Sequence, residues 1–186
     1  MKKYNHVMLD IETLGTHPYC VILSIGAVEF DMHTSKIGNT FYRKINPKTC
    51  TDAGLVMDVD TIMWWMNQND IARKEFKNRS ESVSIEKALN EFTIWYKKIN
   101  KDARVWANSH SFDCNHMQEA YERVLNGSAP WSYRNPRCYR TIMDMYPMKP
   151  TDVDRLTSHR AVDDCMYQIE HLRIAVKSLG LTKHII

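Results

Sequence analysis

Val7-Met8-Leu9-Asp10-Ile11-Glu12-Thr13 carries a short apolar strand into two carboxylates one residue apart. Side chains alternate along a strand, so residues i and i+2 share a face. Asp10 and Glu12 therefore point the same way, at the end of a strand that otherwise belongs in a core. Two like charges there are costly unless something positive sits between them. A hard divalent cation with oxygen ligands, Mg²⁺ or Mn²⁺, meets that need. Taken alone, the pattern reads as a solvated strand exit; two later stretches answer it.

Outward from this stretch, Val21 to Phe30 (VILSIGAVEF) is nearly continuous in apolar character, as suits a central strand buried on both faces. Asp31 to Lys36 is a polar turn, and Ile37 to Ile45 a third strand; such short links predict an antiparallel meander. Asn46-Pro47 breaks the regularity, and residues 46–80 are the least regular part. There Asp60 or Thr61 caps a short helix through Ile62-Met63-Trp64-Trp65-Met66, with another turn or two from Ile71 to Phe76. Ile85, Ala88, Leu89, Phe92, Trp95, Tyr96 and Ile99 recur at helical spacing. Arg104 to Ala107 is a short strand ending at Asn108, followed by a helix over Phe112 to Val124. Residues 126–138 are turn-rich, and Arg140 to Met145 reads as a strand end and short helix. A last helix covers Arg160 to Leu179, ended by Gly180. A meander followed by strand–helix alternation is an α/β arrangement, a mixed sheet with helices packed on it. Its active site is expected at strand ends faced by helix N-termini. With no repeat, low-complexity segment or linker, residues 1–186 read as a single domain.

The bulk numbers exclude little. With 44% hydrophobic and 25% charged residues the chain is an ordinary globular one. A net charge of +3 permits a polyanionic partner without demanding one. No apolar run spans a bilayer and residues 1–6 lack a signal-type apolar region, so a cytoplasmic chain without a membrane partner is expected. Cys20, Cys50, Cys114, Cys138 and Cys165 form no Cys-x-x-Cys pair and read as reduced thiols. Cys114 and His116 lack the second pair that a zinc site needs.

Ser111-Phe112-Asp113 places Asp113 in the first turn of a helix, where the dipole and free amides favour a carboxylate; alone, it is a cap or first-turn acid. His159-Arg160-Ala161-Val162-Asp163-Asp164 opens the last helix. Asp164 falls within an otherwise apolar helical face and calls for a cation, whereas Asp163 points elsewhere, solvated or paired with Arg160. Together and in this order, Asp-x-Glu, Phe-Asp and His-x-x-x-x-Asp resemble the DEDD exonuclease superfamily, the DnaQ-like enzymes. His159 stands five residues before the final Asp, as in the histidine branch. The tyrosine branch would have Tyr where Arg160 stands. Trp106-Ala107-Asn108 ahead of Phe112-Asp113, with Trp64-Trp65 between the motifs, looks most like the small phage-type and exoribonuclease-like members. The resemblance spans Met8 to Leu172.

The resemblance implies a ribonuclease H-like mixed five-stranded sheet, a three-strand antiparallel meander plus parallel strands, flanked by helices. It implies a 3′-5′ exonuclease that releases nucleoside 5′-monophosphates from single-stranded 3′ ends, DNA slightly favoured over RNA. Two divalent ions, Mg²⁺ or Mn²⁺, about 3.5–4 Å apart would clamp the phosphodiester. Asp10 would bridge both, Glu12 and Asp164 would support the water-bearing ion, and Asp113 would serve the second. His159 would be the general base, since imidazole titrates near neutral pH. Trp64 and Trp65 are candidates for base stacking, or one is core and the other exposed. Leu14 and Phe112 would wedge against the terminal nucleotide, the backbone at Thr13 and Leu14 would read the 3′-hydroxyl, and Asn108 would position substrate or water. Arg134, Arg137, Arg140 and Arg155 are scattered and read as ordinary surface. Alternatives are an exoribonuclease or oligoribonuclease, decided by a 2′-hydroxyl contact, and a non-catalytic binding module on the same fold. Relatives that dimerise make a homodimer a further expectation.

Overall fold

The computed structural model describes residues 4–34, 36–76, 79–100, 102–146 and 160–181. Strands β1 (His6–Thr13), β2 (Ile22–Phe30), β3 (Ile37–Lys44), β4 (Arg104–Ala107) and β5 (Pro136–Cys138) form a sheet in the order β3-β2-β1-β4-β5. The first three make the antiparallel meander that their short links predict, and β4 and β5 join it in parallel. Parallel joins need crossovers. Those here run through α3 (Ile85–Lys98) before β4 and α4 (His110–Leu125) before β5. The helices α1 (Pro47–Asp52) and α2 (Val59–Met66) follow β3, and α5 (Tyr139–Met145) and α6 (Ala161–Ser178) follow β5. This is a ribonuclease H-like sheet flanked by helices.

Two cores lie on the two faces of the sheet. Val7, Leu9 and Ile11 of β1 pack with Phe92, Tyr96 and Met117 of α3 and α4. Met8, one step out of phase, packs instead with Cys165, Ile169, Leu172 and Val176 of α6. Asp10 and Glu12 share the phase of Met8 and so project on the α6 side. β2 is buried along its whole length, which explains its unbroken apolar run.

Gly26, the cross-strand partner of Asp10, controls how closely α6 approaches. A Cβ on Gly26 would come within 2.5 Å of the Ala161 carbonyl carbon and the Val162 nitrogen. A glycine therefore lets the first turn of α6 lie against the sheet backbone. The Cys165 thiol continues that contact, donating to the carbonyls of Met8 (3.5 Å) and Gly26 (3.6 Å).

The structure corrects three expectations. Asn46-Pro47 is a helix start and not a break: the Asn46 side chain accepts from the Lys48 N–H, and Pro47 occupies the first turn, where its missing N–H costs nothing. Helix α2 begins at Val59 and is capped by Asp58, which accepts from the Asp60 N–H, so neither Asp60 nor Thr61 is the cap. Strand β5 lies inside the stretch read as turns; three residues beginning with a proline carry too little pattern to announce a strand. Residues Ala72–Phe76 form a 3₁₀ helix. All five cysteines are free thiols. No helix among the described residues is long and apolar enough to cross a membrane.

Candidate active site

The site begins where β4 stops. The pairing of β4 with β1 covers His6, Val7 and Met8, and beyond Met8 no strand among the described residues lies on that edge of β1. The Ile11 N–H on that edge donates instead to Asp113 Oδ1 at 3.2 Å, which draws the first turn of α4 to the end of β1. Asp113 is thus more than a helix-cap acid, because its carboxylate serves a backbone donor 102 residues away in sequence. Asp164 comes from the first turn of α6, next to the Gly26 contact. One ligand oxygen each from Asp10, Glu12 and Asp164 lie within 4.8 Å of one another. These three acids and Asp113 border a single cleft of about 440 Å³. Asp163, as expected, points away and pairs with Arg160 at 3.1 Å.

Burial, and then the charges of Asp113, Glu12 and Asp164, push the Asp10 carboxyl well above the usual carboxylate range. Burial lifts Asp113 to about 7, although backbone hydrogen bonds from Ile11, Asp113 and Ser109 and the charge of Arg140 pull it back. The Cys165 thiol beneath is raised by burial and then by the acids above it, Asp10 first. Crowded carboxylates of this kind relax when a cation joins them. An oxygen-only donor set fits a hard divalent ion such as Mg²⁺ or Mn²⁺.

The other expected residues divide. Asn108 and Phe112, both half-buried, border the cleft. A second hollow of about 600 Å³ adjoins it, sharing Ile11, Glu12 and Phe112 and continuing past Thr13 to Trp64. The tryptophan pair splits: Trp64 is 46% exposed at the rim, whereas Trp65 is 2% exposed. Trp65 therefore presents no open face to a base. Its Nε1 donates to the Thr13 carbonyl at 2.9 Å and props the end of β1 from below. Leu14 is likewise a core side chain, and its N–H is taken by the Val21 carbonyl at 2.9 Å, which leaves that N–H no free bond for a hydroxyl. Thr13 is buried, with its hydroxyl donating to the Gly15 carbonyl. His159 and Arg155 lie outside the described residues.

Sequence reasoning missed Gln168, Tyr139 and Tyr167 and set Arg140 aside; all four border the cleft. Gln168 had a signal, its place four residues after Asp164 on the same helical face. Tyr139 and Arg140 follow directly from β5, so missing that strand concealed them.

The family described as the 3′-5′ exoribonuclease Rv2179c-like domain matches residues 5–176. An exodeoxyribonuclease of Enterobacteria phage T4 is 23% identical over 206 aligned positions, covering 94% of this chain and 90% of the phage protein. E. coli exonuclease I in complex with a dT13 oligonucleotide superposes with a TM-score of 0.72 at 13% identity. That match covers 98% of this chain but 43% of the exonuclease I chain. The zinc-bound exonuclease I–single-stranded DNA complex gives a TM-score of 0.69 at 15% identity, covering 97% and 42%. The chain thus spans about two fifths of the length of these exonuclease I chains.

Proposed function

The chain belongs to the family of Rv2179c-like 3′-5′ exoribonuclease domains, DnaQ-like 3′-5′ exonucleases, and from that premise we propose that it removes nucleotides singly from single-stranded 3′ ends, DNA slightly favoured, releasing nucleoside 5′-monophosphates. The observation that carries this reading is the convergence of Asp10, Glu12, Asp113 and Asp164 on one cleft from β1, α4 and α6. Asp10, Glu12 and Asp164 would hold one divalent cation and Asp113, with Asp10, a second. Bound there, the two ions would supply Lewis-acid stabilisation of the phosphate and a more acidic water.

The chain's own groups supply the rest. Asp10 and Asp113 surrender the protons that their raised pKa values retain as the ions enter, so metal affinity rises with pH. Phe112, shared by the two hollows, packs against the terminal nucleotide, and Trp64 at the rim stacks a neighbouring base. Asn108 orients the substrate, and Arg140 adds positive charge near the phosphate. His159 is the general base on the strength of the family pattern alone.

DNA is favoured because the phage relative is named an exodeoxyribonuclease and two structural relatives were captured with single-stranded DNA. RNA is the second reading, favoured by the description of the family. Matched 3′- and 5′-labelled DNA and RNA oligonucleotides, incubated with Mg²⁺ or Mn²⁺, separate the two. Metal-dependent loss of single nucleotides from the 3′ end is expected, abolished by EDTA and by Asp164→Ala, with the faster strand naming the substrate. Binding without cleavage of either strand would overturn the enzyme reading.

A further inference from the structure

Gln168 is 5% exposed and lies on α6 four residues beyond Asp164, bordering the acid-lined cleft. Its Nε2 donates to Asp10 Oδ1 at 3.0 Å. With a cation bound the Asp10 carboxylate is ionised, and an ionised carboxylate only accepts hydrogen bonds. The contact therefore fixes the orientation of the amide, with NH₂ on Asp10 and the carbonyl directed elsewhere. That carbonyl oxygen, Oε1, is buried and has no hydrogen-bond partner among the described residues. Buried polar atoms left without a partner are uncommon and costly. Its helical neighbours Cys165, Ile169 and Leu172 belong to the apolar core, and methionine or leucine has a similar volume without an orphan oxygen.

We propose that Gln168 is a positioning residue of the cation site, its Nε2 holding the Asp10 carboxylate and its Oε1 accepting a hydrogen bond from a water in the hydration shell of a bound Mg²⁺ or Mn²⁺. The inference rests on the reading above, that the acid cluster takes a divalent cation. Mg²⁺ keeps several of its waters when bound, and those waters need acceptors. One amide thus satisfies both sides: it orients a ligand and anchors the shell. Contacts of this second kind typically carry about 10–100-fold in metal affinity.

The test is a calorimetric Mn²⁺ titration of the nucleic-acid-free chain, wild type against Gln168→Met and Gln168→Leu, with thermal melting of each in EDTA. The expected result is a 10–100-fold loss of Mn²⁺ affinity, with the metal-free melting temperature unchanged or raised because the orphan oxygen is gone. Wild-type affinity in a folded variant would overturn the role of Gln168 and leave the cation site standing. Affinity and melting temperature falling together in both variants would also overturn it, since that marks a structural support. A wild-type chain that binds no Mn²⁺ would bring down the cation reading and this inference with it.

Discussion

The two ends of β1 bury polar groups to opposite effect. At the N-terminal end His6 is 3% exposed and accepts from Trp106 Nε1 on its Nδ1 at 3.0 Å, beside the Phe30 ring at 5.4 Å. Burial, followed by the neighbouring positive charges, pushes its pKa down to about 4, so the ring stays neutral. At the C-terminal end Asp10 and Glu12 crowd against Asp164, with Asp113 close by, and the charges of Asp113, Glu12 and Asp164 add to burial in raising the Asp10 carboxyl. The difference follows the reach of β4, which pairs with β1 at His6–Met8 and no further. Where the partner strand is present, a buried polar side chain is satisfied from within. Where it stops, the chain collects carboxylates whose mutual repulsion a cation would relieve.

Removing one acid should break the contrast most sharply. Asp10→Asn is expected to lower exonuclease rate by about 10²–10³-fold or more, the scale of losing a major electrostatic group. The same change should stabilise the metal-free fold above pH 7, because it relieves repulsion; denaturant melts in EDTA check this. A next, smaller effect comes from Gly26→Ala. Displacing the first turn of α6 from the sheet should cost about 1–3 kcal/mol and lower the rate about tenfold or more, with Asp164 carried out of place. A rate equal to wild type would mean that the approach of α6 does not set the site.

The two ends should also titrate with opposite signs. Asp113 rises from 3.8 unfolded to about 7 folded, so its stabilising contribution is full below pH 4 and lost as pH climbs towards 7. His6 falls from 6.5 unfolded to about 4 folded, so its contribution is full above pH 6.5 and lost as pH drops towards 4. Between those limits the two slopes oppose each other, each at most about 1.4 kcal/mol per pH unit. In EDTA, Asp113→Asn should therefore make stability rise with pH from 4 to 6.5, and His6→Gln should make it fall. Identical profiles for wild type and both variants would show that neither end titrates as described. The smallest effect on activity belongs to Trp106→Phe. It removes the donor to His6 and should cost about 1–2 kcal/mol, with the His6 pKa raised and the rate changed by less than threefold.

Legibility followed the same division. Asp10 and Glu12 were readable because a strand period of two fixes which side chains share a face. Asp113 and Asp164 were readable because each sits at the start of a helix and joins a spaced pattern. The burial of Leu14, and which of Trp64 and Trp65 is the core member, were not readable because adjacency in sequence does not tell a core side chain from its exposed neighbour. Gln168 was overlooked because its meaning depends on how α6 lies over β1, a contact between residues 158 apart. β5 escaped because three residues leave no periodicity to read.

The seat of α6 on Gly26 has a consequence for synthesis. Asp10 and Glu12 emerge from the ribosome early, and Asp113 much later, yet Asp164 arrives only with the helix that must dock onto a sheet already in place. Domains take shape as the chain is made, and contacts between distant segments form last. A nascent chain up to β5 presents two acids on β1 and a third on α4 without the fourth that α6 carries. On the reading proposed above, competence would arrive in one late docking step, when α6 closes over Gly26.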